Sequence, residues 1–174
     1  MCSEKRSDPV TDKIGLGGGC HWCTESVFEA LGGVVQVNQG FLCATPPHDS
    51  FSEAVVVHFD PGMIGLADLI EIHLHTHAST SQHALRTKYR SAVYVYSPQQ
   101  AREATAILCE LQQVFTEQLV TRVLDFAGFK SSDPRYLHYY KKHSGNQFCE
   151  RHIDPKLEKL RADYPRFATS PASV

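Results

Sequence analysis

The chain has 174 residues, 42% hydrophobic and 21% charged, with a formal net charge of −2. That length suits one domain with its own core and excludes a disordered composition. With 17 Lys and Arg against 19 Asp and Glu there is no cationic excess for binding nucleic acid, and no apolar run nears the ~20 residues that cross a membrane.

Residues 1–8 are polar and carry no apolar signal segment, so a cytoplasmic location is expected. In a reducing compartment the six cysteines read as catalytic, metal-bound or inert rather than as a disulfide framework. Residues 13–16 form a short apolar strand that runs into Gly17-Gly18-Gly19. Between 20 and 31, Val27, Phe28 and Leu31 recur at helical spacing, closed by Gly32-Gly33. Residues 34–42 alternate as a strand, 43–51 form a loop with Pro46-Pro47, and 53–59 read as a buried β-branched strand. Residues 66–77 have helical spacing, and 89–96 read as a strand. Ser97-Pro98 opens a helix to about residue 118. Residues 120–126 give a last strand and 134–142 a short helix.

This order predicts a ferredoxin-like two-layer α+β sandwich with an extra C-terminal strand, helix and irregular arm. A single domain is expected over 13–166, between a poorly ordered N-terminus (1–12) and a C-terminal tail (167–174).

The strongest local signal is Gly17-Gly18-Gly19-Cys20-His21-Trp22-Cys23 at a strand-to-helix junction. A cysteine at the first turn of a helix meets the positive end of the macrodipole, which favours the reactive thiolate. The plain alternative is a buried, inert cysteine beside glycines kept for packing. Cys20 and Cys23 form a C-x-x-C pair, open to three readings: a redox pair, half of a zinc site, or a nucleophile with an incidental neighbour. For zinc, His73, His75 and His77 are the candidate partners, of which His73 and His77 share a helix face.

Gly19-Cys20-His21-Trp22-Cys23 resembles the Gly-Cys-Phe-Trp-Cys signature of the A-type peptide methionine sulfoxide reductases. Gly40-Phe41 is similar to the family's Gly-Tyr, Ser52-Glu53-Ala54-Val55 to its His-Ala-Glu-Ala-Val with Glu aligned, and Tyr89-Arg90-Ser91-Ala92-Val93-Tyr94 to its Tyr-Arg-Ser-Ala-Ile-Tyr. Phe148-Cys149 and Ile153-Asp154-Pro155-Lys156 resemble its C-terminal Cys and Ile-x-Pro-Lys, and the blocks stand in family order over roughly 13–161.

The resemblance implies reduction of methionine S-sulfoxide, free or in proteins, with no metal or organic cofactor and with thioredoxin or another dithiol as external reductant. It assigns Cys20 as nucleophile, Glu53 as proton donor, Tyr89 as auxiliary donor and Cys149 as resolving thiol on a mobile arm after residues 142–147. Cys23 is the alternative resolver, and Cys2, Cys43 and Cys109 match no motif. His21, Trp22 and Phe41 line the substrate, Trp22 as a wall for the S-methyl group. A carboxyl buried at position 53 would suit proton delivery to the sulfoxide oxygen. A monomer is expected.

Three positions depart from the family: His21 replaces Phe, Phe41 replaces Tyr, and Ala84 stands where an Asp holds the peptide. His21, His77 or His83 are candidate substitute donors. A second reading is therefore a divergent scaffold with altered or lost activity that binds another methyl sulfoxide or a protein partner. A third is a zinc protein using Cys20, Cys23 and His73 or His77.

Overall fold

The computed structural model describes residues 10–170. Its strands are β1 (Asp12–Gly17), β2 (Val34–Ala44), β3 (Ser52–Phe59), β4 (Ala92–Val95) and β5 (Arg122–Ser131). The helices are α1 (His21–Glu29), α2 (Leu66–Thr76), α3 (Pro98–Gln112), α4 (Tyr139–His143) and α5 (Asp154–Asp163).

The sheet closes on itself in the order β1-β3-β2-β5-β4. β1 lies between β3 and β4 and is antiparallel to both; β5 is antiparallel to β2 and parallel to β4. The mixed α/β character expected from the sequence is present, but the open two-layer sandwich is not. The order β4-β1-β3-β2 is that of the expected sandwich, and β5 bridges its two free edges. Period-two alternation identifies β5 as a strand without identifying its partners. β5 thereby pairs with Gly40–Ala44 of β2 on one side and with Ala92–Val95 of β4 on the other.

Alternation sorts the strands into two cores. Ile14, Leu16, Val55, Val57, Val93 and Val95 pack with Val27, Phe28 and Leu31 beside α1, Leu69, Ile70 and Leu74 of α2, and Leu157 and Leu160 of α5. Leu42, Ala54, Val56, Ala92 and Tyr94 form a second, smaller cluster. It is tight at Gly15, where a Cβ would lie 2.6 Å from Leu42 and 2.7 Å from Tyr94.

Ser97 caps α3 by accepting the Gln100 N–H, with Pro98 in the first turn. The helix stops at Gln112, short of the expected 118, because the Gln112 amide bonds Glu117 O, the Leu119 N–H and Gln118, tying the chain into a loop. β4 starts at Ala92 rather than 89, since the Tyr89 N–H turns back to Leu85 O. A 3-10 turn (Pro134–Tyr136) and α4 occupy the expected short helix.

The C-terminal segment is not an irregular arm. A π-helical turn (Cys149–Ile153) leads directly into α5, which buries Leu157 and Leu160. Asp154-Pro155 followed by apolar residues three apart is a helix start readable from the sequence. The expected tail is also docked at its beginning: the Gly32 N–H donates to Phe167 O at 2.7 Å and the Thr169 N–H to Ala30 O at 2.8 Å. Residue 12 belongs to β1; residues 1–9 of the expected N-terminal segment, and Cys2 with them, lie outside the described residues.

Candidate active site

β1 ends at Gly17, opposite Ala92, and three glycines carry the chain into α1. His73 Nε2 donates to Gly17 O at 2.9 Å, and Arg86 Nη1 donates to Gly18 O at 2.9 Å. The His77 imidazole lies so close to Gly18 that a side chain there would collide with it. The turn is thus held from two sides, and it sets Cys20 at the N-cap of α1.

Cys20 is partly exposed, and its thiol is held below the ordinary 9.0. The first cause is a hydrogen bond from the Cys23 thiol; the backbone N–H groups of Trp22 and Cys23 add to it, while burial and the Glu53 charge oppose it. Cys23 is 6% exposed, and its own thiol is pushed up by that same hydrogen bond and by burial. Of the two thiols, ionisation is thus favoured at Cys20 and disfavoured at Cys23. Replacing Cys23 by alanine removes the main cause and should move the pH midpoint of Cys20 alkylation upward; an unchanged midpoint contradicts the assignment.

Glu53, on β3 opposite Phe41 of β2, is 9% exposed. The His21 N–H at the start of α1 donates to its Oε2 at 3.2 Å, so the carboxylate serves one of the free donors of that helix end. The His21 ring bonds Gly40 O through Nδ1 at 2.7 Å, sets Nε2 3.7 Å from Glu53 Oε2, and meets Phe41 edge-on at 5.2 Å. Lys88 Nζ lies 3.8 Å from Glu53 Oε1 and 5.0 Å from the centre of the Tyr89 ring. Cys20, His21, Glu53 and Phe41 therefore meet at one helix start.

Trp22 stacks on Tyr139 at 4.0 Å and on Tyr136 at 5.4 Å, and Phe148 meets it edge-on at 5.4 Å. The sequence reading missed these aromatic partners; their closely spaced Tyr and Phe residues in 136–148 were the available signal. Lys156 of α5, present in the Ile-x-Pro-Lys block but given no role there, donates its ammonium to Thr76 O; burial lowers its pKa, and Cys23 and Cys20 act against that lowering. Cys149 is fully buried in the π-helical turn, its N–H bonded to Asn146 Oδ1, and burial pushes its thiol up. It is not on a mobile arm, because the ring stack and α5 hold both sides of the turn.

His73 and His77 are engaged elsewhere than with metal. His73 holds Gly17 O, and His77 bonds His73 O and Ser91 Oγ, the latter at 2.8 Å. His83 caps the 3-10 turn Ala84–Thr87 by accepting the Leu85 N–H. Among the described residues the group with cation-binding spacing is Glu25, Glu29 and His138, not the C-x-x-C pair with a histidine. There Glu25 already accepts the His138 and Tyr139 N–H groups and the Gln39 amide, and Lys141 pairs with Glu29 at 3.3 Å.

Burial lowers the His73 pKa from 6.5 to about 4 and that of His77 well below 6.5. Both rings stay neutral in the folded chain while the unfolded chain protonates near 6.5, so stability is full at neutral pH and falls as pH drops below 6.5 towards 4. For His73 alone, urea unfolding should show a loss of about 2 kcal/mol between pH 7 and pH 5. A glutamine at position 73 should flatten that slope.

The profile of the peptide methionine sulfoxide reductases matches residues 12–167. The chain belongs to this family. It is 33% identical to a peptide methionine sulfoxide reductase MsrA of Thermus thermophilus over 160 residues, 84% of this chain and 91% of that one. The Deinococcus radiodurans MsrA is 33% identical over 165 residues, 86% and 80% of the two chains. Among solved structures, the fold resembles reduced Mxr1 of Saccharomyces cerevisiae (TM-score 0.73, 21% identity, 84% and 94% covered) and methionine sulfoxide reductase A of Corynebacterium diphtheriae (0.65, 26%, 79% and 77%). Among the described residues no helix is long and apolar enough to cross a membrane.

Proposed function

We propose that this chain reduces the S epimer of methionine sulfoxide, free or in proteins, with Cys20 as the attacking thiolate. One observation carries the residue assignment: a partly exposed thiol, held low at a helix start, shares that start with a buried carboxyl in a chain of this family.

The Cys20 sulfur donates its electron pair to the sulfoxide sulfur, whose bond to oxygen breaks. Oxygen ends on Cys20 as a sulfenic acid, one proton is taken up from the Glu53 side, and methionine leaves. The Cys20 sulfur is oxidised by two electrons and the substrate sulfur reduced by two. Trp22, with its stacked Tyr139, supplies an apolar face for the S-methyl group.

Position supports Cys23 as the first resolver, ahead of the fully buried Cys149, since it lies one helical turn from Cys20 and its N–H donates to Cys20 O at 3.1 Å. Its sulfur displaces the sulfenic oxygen as water and leaves a Cys20–Cys23 disulfide. Cys149 is the alternative resolver. A dithiol such as thioredoxin reopens the disulfide; the solved complex of yeast Mxr1 with Trx2, whose Mxr1 shares this fold at a TM-score of 0.60, supports that partner. We further assign the protein to a reducing, cytoplasmic setting and to a monomeric state.

The test is incubation of reduced protein with S- and R-methionine sulfoxide, free and in a peptide. Methionine from the S epimer alone is expected; methionine from R alone, or from neither, rejects the proposal.

A further inference from the structure

The oxygen side of the site holds a cation to which the reaction above gives no task. Lys88 stands next to Tyr89, and its backbone is tied to β3: Lys88 O accepts both the Ser52 hydroxyl (2.9 Å) and the Glu53 N–H (3.0 Å). Its side chain is 61% exposed against 12% for Glu53, so the ammonium can swing while the carboxylate stays fixed. The two neighbouring cations are engaged elsewhere. Arg86 donates to the carbonyls of Gly18, Tyr89 and Ser81, and Arg90 to Ser50 and the Tyr94 hydroxyl. Among the described residues, Lys88 Nζ has its ion pair with Glu53 and no backbone acceptor.

Attack of a thiolate on a sulfoxide sulfur drives negative charge onto the oxygen, and a fixed donor aimed at that atom lowers the barrier. Phe41, directly across the sheet from Glu53, offers no hydroxyl. His21 is turned to Gly40 O by one ring nitrogen and sets the second 3.7 Å from Glu53 Oε2, while Lys88 pairs with Oε1. A lysine ammonium is compact, flexible and bears three donors.

We propose that Lys88 is a catalytic residue: its ammonium leaves Glu53 for the sulfoxide oxygen, neutralises the charge that builds there and, with Glu53, supplies the proton that oxygen takes up. The proton that leaves the Lys88–Glu53 pair becomes the hydrogen of the Cys20 sulfenic acid, and the pair regains it from solvent once methionine has gone. The Tyr89 side chain first, then the charges of Tyr89 and Glu53, raise the Lys88 pKa, which keeps the cation in place to face the charge on oxygen. This role rests on the sulfoxide-reductase reading.

Single-turnover methionine release, measured from pH 6 to 10 for wild type, Lys88→Met and Lys88→Arg, tests it, with Cys20 alkylation followed in parallel. Lys88→Met should slow release at saturating sulfoxide by about 10²-fold, with a much smaller change in alkylation. Lys88→Arg, which keeps charge and donors, should recover about tenfold of that loss. A Lys88→Met rate within about twofold of wild type, or a loss matched by equally slowed alkylation, overturns the role. Wild-type protein that releases no methionine overturns the underlying reading instead, so the two failures are told apart.

Discussion

Cys20→Ser should release no measurable methionine from its sulfoxide, a loss of roughly 10⁴-fold or more. A serine hydroxyl does not ionise in this range and cannot accept the sulfoxide oxygen as sulfenic acid. The substitution should not harm the fold. Position 20 is the N-cap of α1 and has no side-chain capping bond, and serine is among the preferred caps. Urea unfolding should therefore show equal or slightly greater stability in the same preparation that has lost activity. Reduction above a tenth of the wild-type rate would place the attacking sulfur elsewhere, with Cys23 the first alternative.

The second large effect is expected at Glu53. Glutamine keeps an oxygen for the His21 N–H, so the start of α1 stays capped, but it removes the proton-sharing partner of Lys88. Single-turnover reduction should fall about 10²–10³-fold. Thiol reactivity should move the other way. The Glu53 charge works against the Cys20 thiolate, so its removal should lower the midpoint of Cys20 alkylation and speed alkylation at low pH. A more reactive thiol that reduces sulfoxide more slowly is hard to obtain from general damage to the fold. Parallel loss of both activities would mean that Glu53 is structural only.

The parts of this site readable from the sequence are those whose chemistry is local. Three glycines followed by a cysteine and helical spacing place Cys20 at a helix start, because turn, cap and macrodipole all act within a few residues. Ser97-Pro98 marks the start of α3 for the same reason. What the sequence hides is set at long range. Residues 122–131 pattern as a strand, yet nothing in them says that β5 closes the ring between β2 and β4. The polar run before Cys149 suggests a mobile arm, while Trp22, Tyr139 and Phe148 stack across more than a hundred residues and fix it. His73 and His77 resemble metal ligands in sequence; in the fold their nitrogens hold Gly17 O, His73 O and Ser91. Lys88 carries no motif, and its meaning comes only from the 3.8 Å that separates it from Glu53.

The most direct test is to treat fully reduced protein with an excess of S-methionine sulfoxide in the absence of any reductant, count the methionine formed and map the thiols by mass spectrometry. One methionine per chain should appear as Cys20 and Cys23 become joined in a single cross-linked peptide. Methionine formed while Cys20 remains free to alkylate would contradict attack by a thiolate at the start of α1.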